Sequence, residues 1–158
     1  MNPQPPPFQR TVCACAQCVA CCKRQPGPLV PSDIEPIRKF LAKVEPLERL
    51  ESYLVASRGS LMMDTRTGRK AWIGSITPKM VGDRCVFLDE KDRCRIHAVS
   101  PAGCRMFDTH QSYAEGQRRG IWMALAMQDP DYQAMRDRLP VNERQNDKRT
   151  TGEGVQKR

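Results

Sequence analysis

The 158-residue chain has no apolar run long enough to cross a bilayer, and its first residues, MNPQPPPFQR, hold no apolar stretch of the kind a secretory signal needs. The expectation is a protein without a membrane partner that stays in the reducing cytoplasm. Large apolar groups are also scarce. Leu, Ile, Val and Phe together make 29 of the 158 residues, just under the level of about 20% at which a charged chain starts to look disordered. A core that thin calls for a second source of stability, and disulfides and metals are the usual ones. There is no Gly-rich phosphate loop, no Walker motif and no Ser–His–Asp pattern, and the carboxylates are scattered rather than paired for acid–base work. These absences leave no catalytic constellation beyond thiols, so the chain is not expected to be an enzyme on its own. No internal repeat is present.

What the chain does have is eight cysteines. Five lie in the ten residues CACAQCVACC, as Cys13, Cys15, Cys18, Cys21 and Cys22, and the other three are Cys85, Cys94 and Cys104. Sixty-two cysteine-free residues separate the groups, which points to one site assembled by folding. Cysteines packed as C-x-C, C-x-x-C and C-C are poorly placed to bridge one another, because a disulfide needs a specific separation and orientation. Thiolates about three residues apart on a tight turn can instead converge on one ion. Metal is therefore the expected source of stability.

The formal net charge is +8. One reading is an acidic partner such as nucleic acid. The other is compensation of thiolate charge, since four thiolates around a divalent ion carry about −2 in total. Lys23, Arg24, Arg84, Arg93, Arg95 and Arg105 all stand beside cysteines, which favours the second.

Along the chain, Pro3 and Pro5–Pro7 mark residues 1–10 as a Pro-rich disordered leader. After the cysteine loop, Ser32 and Glu35 fit a capping box, and Ile34, Ile37, Phe40, Leu41 and Val44 continue at helical spacing. A second helix is expected over Leu47–Ala56. Residues 59–78 read as two short strands around the turn Thr65–Gly68, with Trp72 in the core or as a lid over the site. Residues 85–94 read as a hairpin turning at Asp89–Asp92, and Pro101 opens a short helix that presents Cys104. Helices are expected over 113–128 and 131–139. From Val141 the chain is charged and almost free of apolar groups, which reads as a disordered tail. The result is a leader (1–10), a cysteine-cluster domain (11–139) and a tail (140–158). The expected fold is a small α+β domain, stapled by metal, with helices and short β-hairpins around the cysteine cluster.

Cys15-x2-Cys18-x2-Cys21 is the opening of a bacterial ferredoxin run, but Gln25 stands where its fourth cysteine belongs. The loop can hold part of an iron–sulfur cluster or act as a zinc knuckle completed by the distant group, and thiolates suit both. Cys15 and Cys18 are the safest ligands. Cys21 and Cys22 are adjacent, so their side chains diverge and they are not expected to share a single ion. His97, in a C-x2-H spacing with Cys94, and His110 are more naturally hydrogen-bonding or solvent-facing groups than ligands.

Taken in order, Cys15-x2-Cys18-x2-Cys21-Cys22, the helix start DIEPI, Cys85-Val-Phe-Leu, Cys94-Arg-Ile-His and Pro101-Ala-Gly-Cys104-Arg105 resemble the YkgJ-type CxxCxxCC cysteine-cluster family over roughly residues 12–108. The resemblance implies a zinc- or iron-chelating domain with Cys15, Cys18, Cys21, Cys22, Cys85, Cys94 and Cys104 as ligands. Cys13 stands where the family carries an aromatic residue, and is expected to be dispensable. The functional expectation is a metal-binding protein holding zinc or an iron–sulfur cluster. The alternatives are a basic nucleic-acid-binding zinc module and a redox or methyltransferase-associated enzyme component; some relatives have been linked to flagellin lysine methylation, but no methyl-donor site is legible here.

Overall fold

The computed structural model describes residues 7–13 and 15–142. The greater part of the expected leader (1–6) and of the expected tail (143–158) lies outside the described residues. The fold is α+β, with five helices and two small antiparallel sheets among the described residues.

The cysteine-rich stretch forms one helical turn, α1 (Ala16–Val19), that tightens directly into a 3-10 turn over Ala20–Lys23. Residues 24–28 then lead to α2 (Pro31–Val44). The helix does not use the Ser32–Glu35 box. Its N-cap is Val30, and the Asp33 carboxylate accepts the Val30 N–H at 2.9 Å. Pro31 occupies the first helical position, where a missing N–H costs nothing. Ile37 and Leu41 form the buried stripe of α2.

No helix forms over Leu47–Ala56. A 3-10 turn at Leu50–Tyr53 leads straight into β1 (Leu54–Met63), which pairs antiparallel with β2 (Lys70–Pro78). Helical spacing of Leu47, Leu50 and Leu54 is overridden by sheet pairing, because Leu54, Val55 and Ala56 take partners from Pro78, Thr77 and Ile76. Leu47 itself is almost fully exposed. The register slips between Ser57 and Ser60, where Gly59 sits at φ +76°. A side chain there would also strike the Ile73 carbonyl, so the bulge requires glycine. Trp72 is neither core nor lid. It faces outward from β2, half-exposed, with the Arg58 guanidinium 3.6 Å from its ring centre.

Two very short strands follow, β3 (Met80–Val81) and β4 (Arg84–Cys85). The expected 85–94 hairpin is reduced to a single bridge between Leu88 and Cys94, closed by the turn at Asp89–Asp92. Cys85 pairs instead with Met80 across β3–β4. α3 (Ala102–Arg105) starts after Pro101 as expected, and α4 (Tyr113–Ala126) and α5 (Pro130–Arg136) complete the chain.

One core runs through Leu29, Ile37, Leu41, Leu54, Ile76, Phe87, Ile96 and Met106, all at most 2% exposed. The Tyr132 hydroxyl donates to the Leu29 carbonyl and accepts the Ile76 N–H, each at 2.7 Å. α5 thereby locks the exit of the cysteine loop onto β2, where Leu29 forms a bridge with Ile76. Pro140 and Asn142 bond the backbone of Ala56, so β1 also holds the last described residues.

Candidate metal centre

Both cysteine groups are brought to one side of this core by identifiable contacts. The N-terminal segment is anchored by Phe8, edge-on to Trp122 and under the Arg119 guanidinium. Arg119 also donates to the carbonyls of Gln9 and Met106, and Thr11 N–H donates to the Arg105 carbonyl at 2.8 Å. Arg10 donates to the His97 carbonyl and the Ser100 hydroxyl. Cys13 is thus delivered by a docked strand of chain.

Cys13, Cys15, Cys18 and His110 place their ligand atoms within 4.8 Å of one another. Cys15 Sγ is 3.6 Å from Cys18 Sγ and 3.6 Å from His110 Nε2. With metal–sulfur bonds of about 2.3 Å, the edge of a tetrahedral site is roughly 3.8 Å, so these separations suit one four-coordinate ion. A cubane cluster carries its thiolates on separate irons and needs them further apart. Thr109 supports the set: its N–H and its hydroxyl lie 3.5 and 3.4 Å from Cys18 Sγ. The Cys15 thiol is lowered to about 6, chiefly by the Cys18 backbone N–H and then by His110 and the neighbouring thiols. Cys15 also sits at the N-cap of α1, where backbone amides favour a thiolate.

Next to this set lies a cavity of about 410 Å³ lined by six of the eight cysteines: Cys13, Cys18, Cys22, Cys85, Cys94 and Cys104. Cys22 reaches it from the 3-10 turn, which packs on β4 and so on Cys85. Lys23 and Arg84 both pair with Asp92 at 2.6 Å, clipping that turn and β4 to the loop that carries Cys94. Asp92 has φ +60°, a conformation that aspartate tolerates better than most residues. Cys104 arrives through a backbone-to-backbone contact. Gly103 N–H donates to the Pro28 carbonyl at 2.9 Å, and a Cβ on Gly103 would lie 2.2 Å from Pro28 Cδ. A Cβ on Gly27 would lie 2.1 Å from the Gly103 carbonyl carbon. Only two glycines let these segments touch.

Asp33 fixes the same junction from beneath. Its buried carboxylate accepts the N–H groups of Val30 and Ala102 and pairs with Arg105 at 2.7 Å. Burial pushes its carboxyl above the usual range, against the pull of Arg105 and the two amides. The thiols around the cavity differ in character from Cys15. Burial raises Cys85 to about 12, with Cys22 and Cys94 adding repulsion. Burial likewise raises Cys22, Cys94 and Cys104.

All eight cysteines carry free thiols. Of the seven named as ligands from the sequence, Cys15 and Cys18 lie in the tight quartet, and Cys22, Cys85, Cys94 and Cys104 around the cavity. Cys21 is exposed and lines neither, so the adjacent pair Cys21–Cys22 does diverge. The quartet adds Cys13 and His110, the two groups least expected there. His110 had no local signal, because it reaches Cys15 across 95 residues. His97 is exposed on the cavity rim and stands outside the quartet.

A domain in which a Cys3His set and further thiols converge is a metal-chelating domain by the chemistry of its donors. The chain belongs to the CxxCxxCC family, whose description is "Putative zinc- or iron-chelating domain", matched over residues 14–137. Comparison with curated proteins and with solved structures finds no match.

Proposed function

We propose that the protein is a cytoplasmic metal chelator in which Cys13, Cys15, Cys18 and His110 hold one zinc ion as a closed structural site. The observation that carries this reading is the mutual approach of four donor atoms within 4.8 Å. Four protein ligands leave no open position, which is the mark of a structural rather than a catalytic zinc. Zinc bound there neutralises thiolate charge and cross-links its ligands. The chain's own part is to bring the docked segment 8–18 and the loop carrying Thr109 and His110 together, with Thr109 donating to Cys18.

The basic balance supports charge compensation over a nucleic-acid face. Arg10, Arg84, Arg93, Arg95 and Arg105 each bond to a protein carbonyl or carboxylate. No helix among the described residues is long and apolar enough to cross a membrane.

Elemental analysis after anaerobic purification, followed by cobalt replacement, tests the site. One zinc per chain and a tetrahedral thiolate–cobalt spectrum are expected, both lost in Cys15→Ser and His110→Ala. Zinc retained in full by Cys15→Ser overturns the assignment.

A further inference from the structure

Apart from the thiols, the β1–β2 hairpin carries an outward face that the fold leaves uncovered. Leu61 stands directly opposite Trp72, and Met63 opposite Lys70. Side chains two residues apart in a strand share a face, so Leu61, Met63 and Trp72 point the same way. They are 55%, 52% and 48% exposed. The alternate positions turn inward: Ile73 is buried, and Met62 packs against the core. None of the three outward groups lines the thiol cavity or belongs to the quartet. Contiguous exposed apolar groups rimmed by polar residues mark an interaction surface, whereas single exposed ones need no explanation.

The rim of this face is cationic, and the fold builds it. The register slip between Ser57 and Ser60 places Arg58 and Gly59 in a bulge, a device that re-aims a side chain. Here it accompanies the stacking of the Arg58 guanidinium over the Trp72 ring. Arg66, Arg69 and Lys70 stand exposed around the turn. Residues 58–73 hold those four cations and one carboxylate, Asp64. Asp64 is buried, accepts the Arg66 N–H at 2.8 Å and pairs with the Arg66 guanidinium. Asp137, which lines a hollow beside Trp72, pairs with Arg136 at 3.1 Å. The carboxylates nearby are thus held by arginines, and the outer rim keeps a net positive charge.

We infer that this face docks an acidic protein segment with an apolar centre. The segment's apolar side chains seat on Leu61, Met63 and Trp72, and its carboxylates meet the cations around the turn. Aromatic residues, Met and Arg are enriched at protein interfaces, and Trp and Arg are common anchors there. The aliphatic neighbours favour a peptide over single-stranded nucleic acid. A strand of bases stacks on successive aromatic faces, whereas here one ring, already covered by Arg58, stands beside two aliphatic side chains. The surface serves this partner whatever ion the thiols hold.

Fluorescence anisotropy with the full-length chain and a labelled peptide tests this. The peptide holds leucine, phenylalanine and leucine between runs of glutamate. A second probe carries glutamine for glutamate, a third carries serine for the apolar residues, and a fourth is oligo(dT). The wild type is expected to bind the first peptide, more weakly as salt rises, and the second and third about tenfold less well or worse. Trp72→Ser and Arg69→Glu/Lys70→Glu are each expected to weaken binding of the first peptide by about tenfold or more. Ile121→Ser, at an exposed position of α4, leaves it unchanged. Cooperative urea transitions show that the variants fold; should Trp72→Ser not fold, the charge reversal decides. No binding by the wild type, undiminished binding by a folded hairpin variant, or an equal loss in Ile121→Ser overturns the inference. Oligo(dT) bound more tightly than the first peptide overturns it in favour of a nucleic-acid face.

Discussion

The two thiol sets differ in how they are built. The Cys13–Cys15–Cys18–His110 set is largely local, with three donors inside six residues on an accessible edge, plus one histidine brought by a neighbouring loop. The Cys22–Cys85–Cys94–Cys104 set is long-range, with each thiol on its own segment and Cys85 buried. Local donors need only a turn to approach one another, and a backbone amide and an imidazole favour the thiolate at Cys15. Cys13 is raised instead, the pull of the Cys15 backbone amide being outweighed by its bonds to the Cys18 and Cys15 thiols. Long-range donors need the whole fold, and burial works against their charge, as the raised Cys85 shows. The first set is therefore sensitive to the docking of one segment, and the second to the integrity of the core junctions.

The strongest way to break this contrast is to remove Asp33. Asp33→Ala leaves Arg105 without its carboxylate partner and two buried N–H groups without their acceptor. A loss of about 3–5 kcal/mol is expected from breaking a buried pair of this kind, read by urea denaturation. If the contrast holds, Cys104 becomes open to alkylation at a lower urea concentration than Cys15 does. Exposure of both at the same urea concentration would show a single cooperative unit.

Gly103→Ala is a narrower probe. Its Cβ collides with Pro28, so the helix carrying Cys104 must move away from the exit of the cysteine loop. Overpacking of this sort costs about 1–3 kcal/mol, and differential alkylation should show Cys104 newly reactive while Cys15 is unchanged. Unchanged reactivity at Cys104 would mean the contact is slack.

The smallest expected effect concerns the clamp on the N-terminal segment. Glu115 holds Arg119, which in turn holds Gln9 and Met106. The Arg119 hydrogen bond, with help from Arg118, lowers the Glu115 carboxyl below its ordinary 4.5. A lowered carboxyl contributes stability that is complete above 4.5 and is lost as pH falls through the lowered value. The Tm difference between wild type and Glu115→Gln should therefore be constant near neutrality and shrink below about pH 4.5. A difference that does not change with pH would separate the clamp from Glu115 ionisation.

Much of the fold was legible. The stripe of Ile37 and Leu41 marked α2, the Thr65–Gly68 turn marked the β1–β2 hairpin, and Pro101 marked the turn of helix presenting Cys104. Leu47–Ala56 misled because its leucines carry helical spacing while Leu54, Val55 and Ala56 take their backbone partners from β2. Trp72 misled because an aromatic in a strand can be covered by a cation such as Arg58 instead of the core.

By itself the sequence determined that the candidate donors are eight thiols in two groups. It also set Cys21 and Cys22 apart, since neighbouring side chains leave the backbone in different directions. Only the tertiary structure decided which distant residue meets which thiol. His110 joins Cys15, Cys22 faces Cys85, Cys94 and Cys104 across a cavity, and Cys21 is left at the surface. The reason is physical: spacing along a turn governs only the local approach of side chains. Which loops then arrive depends on contacts with no local signature, here a buried carboxylate at Asp33 and two glycines pressed backbone to backbone.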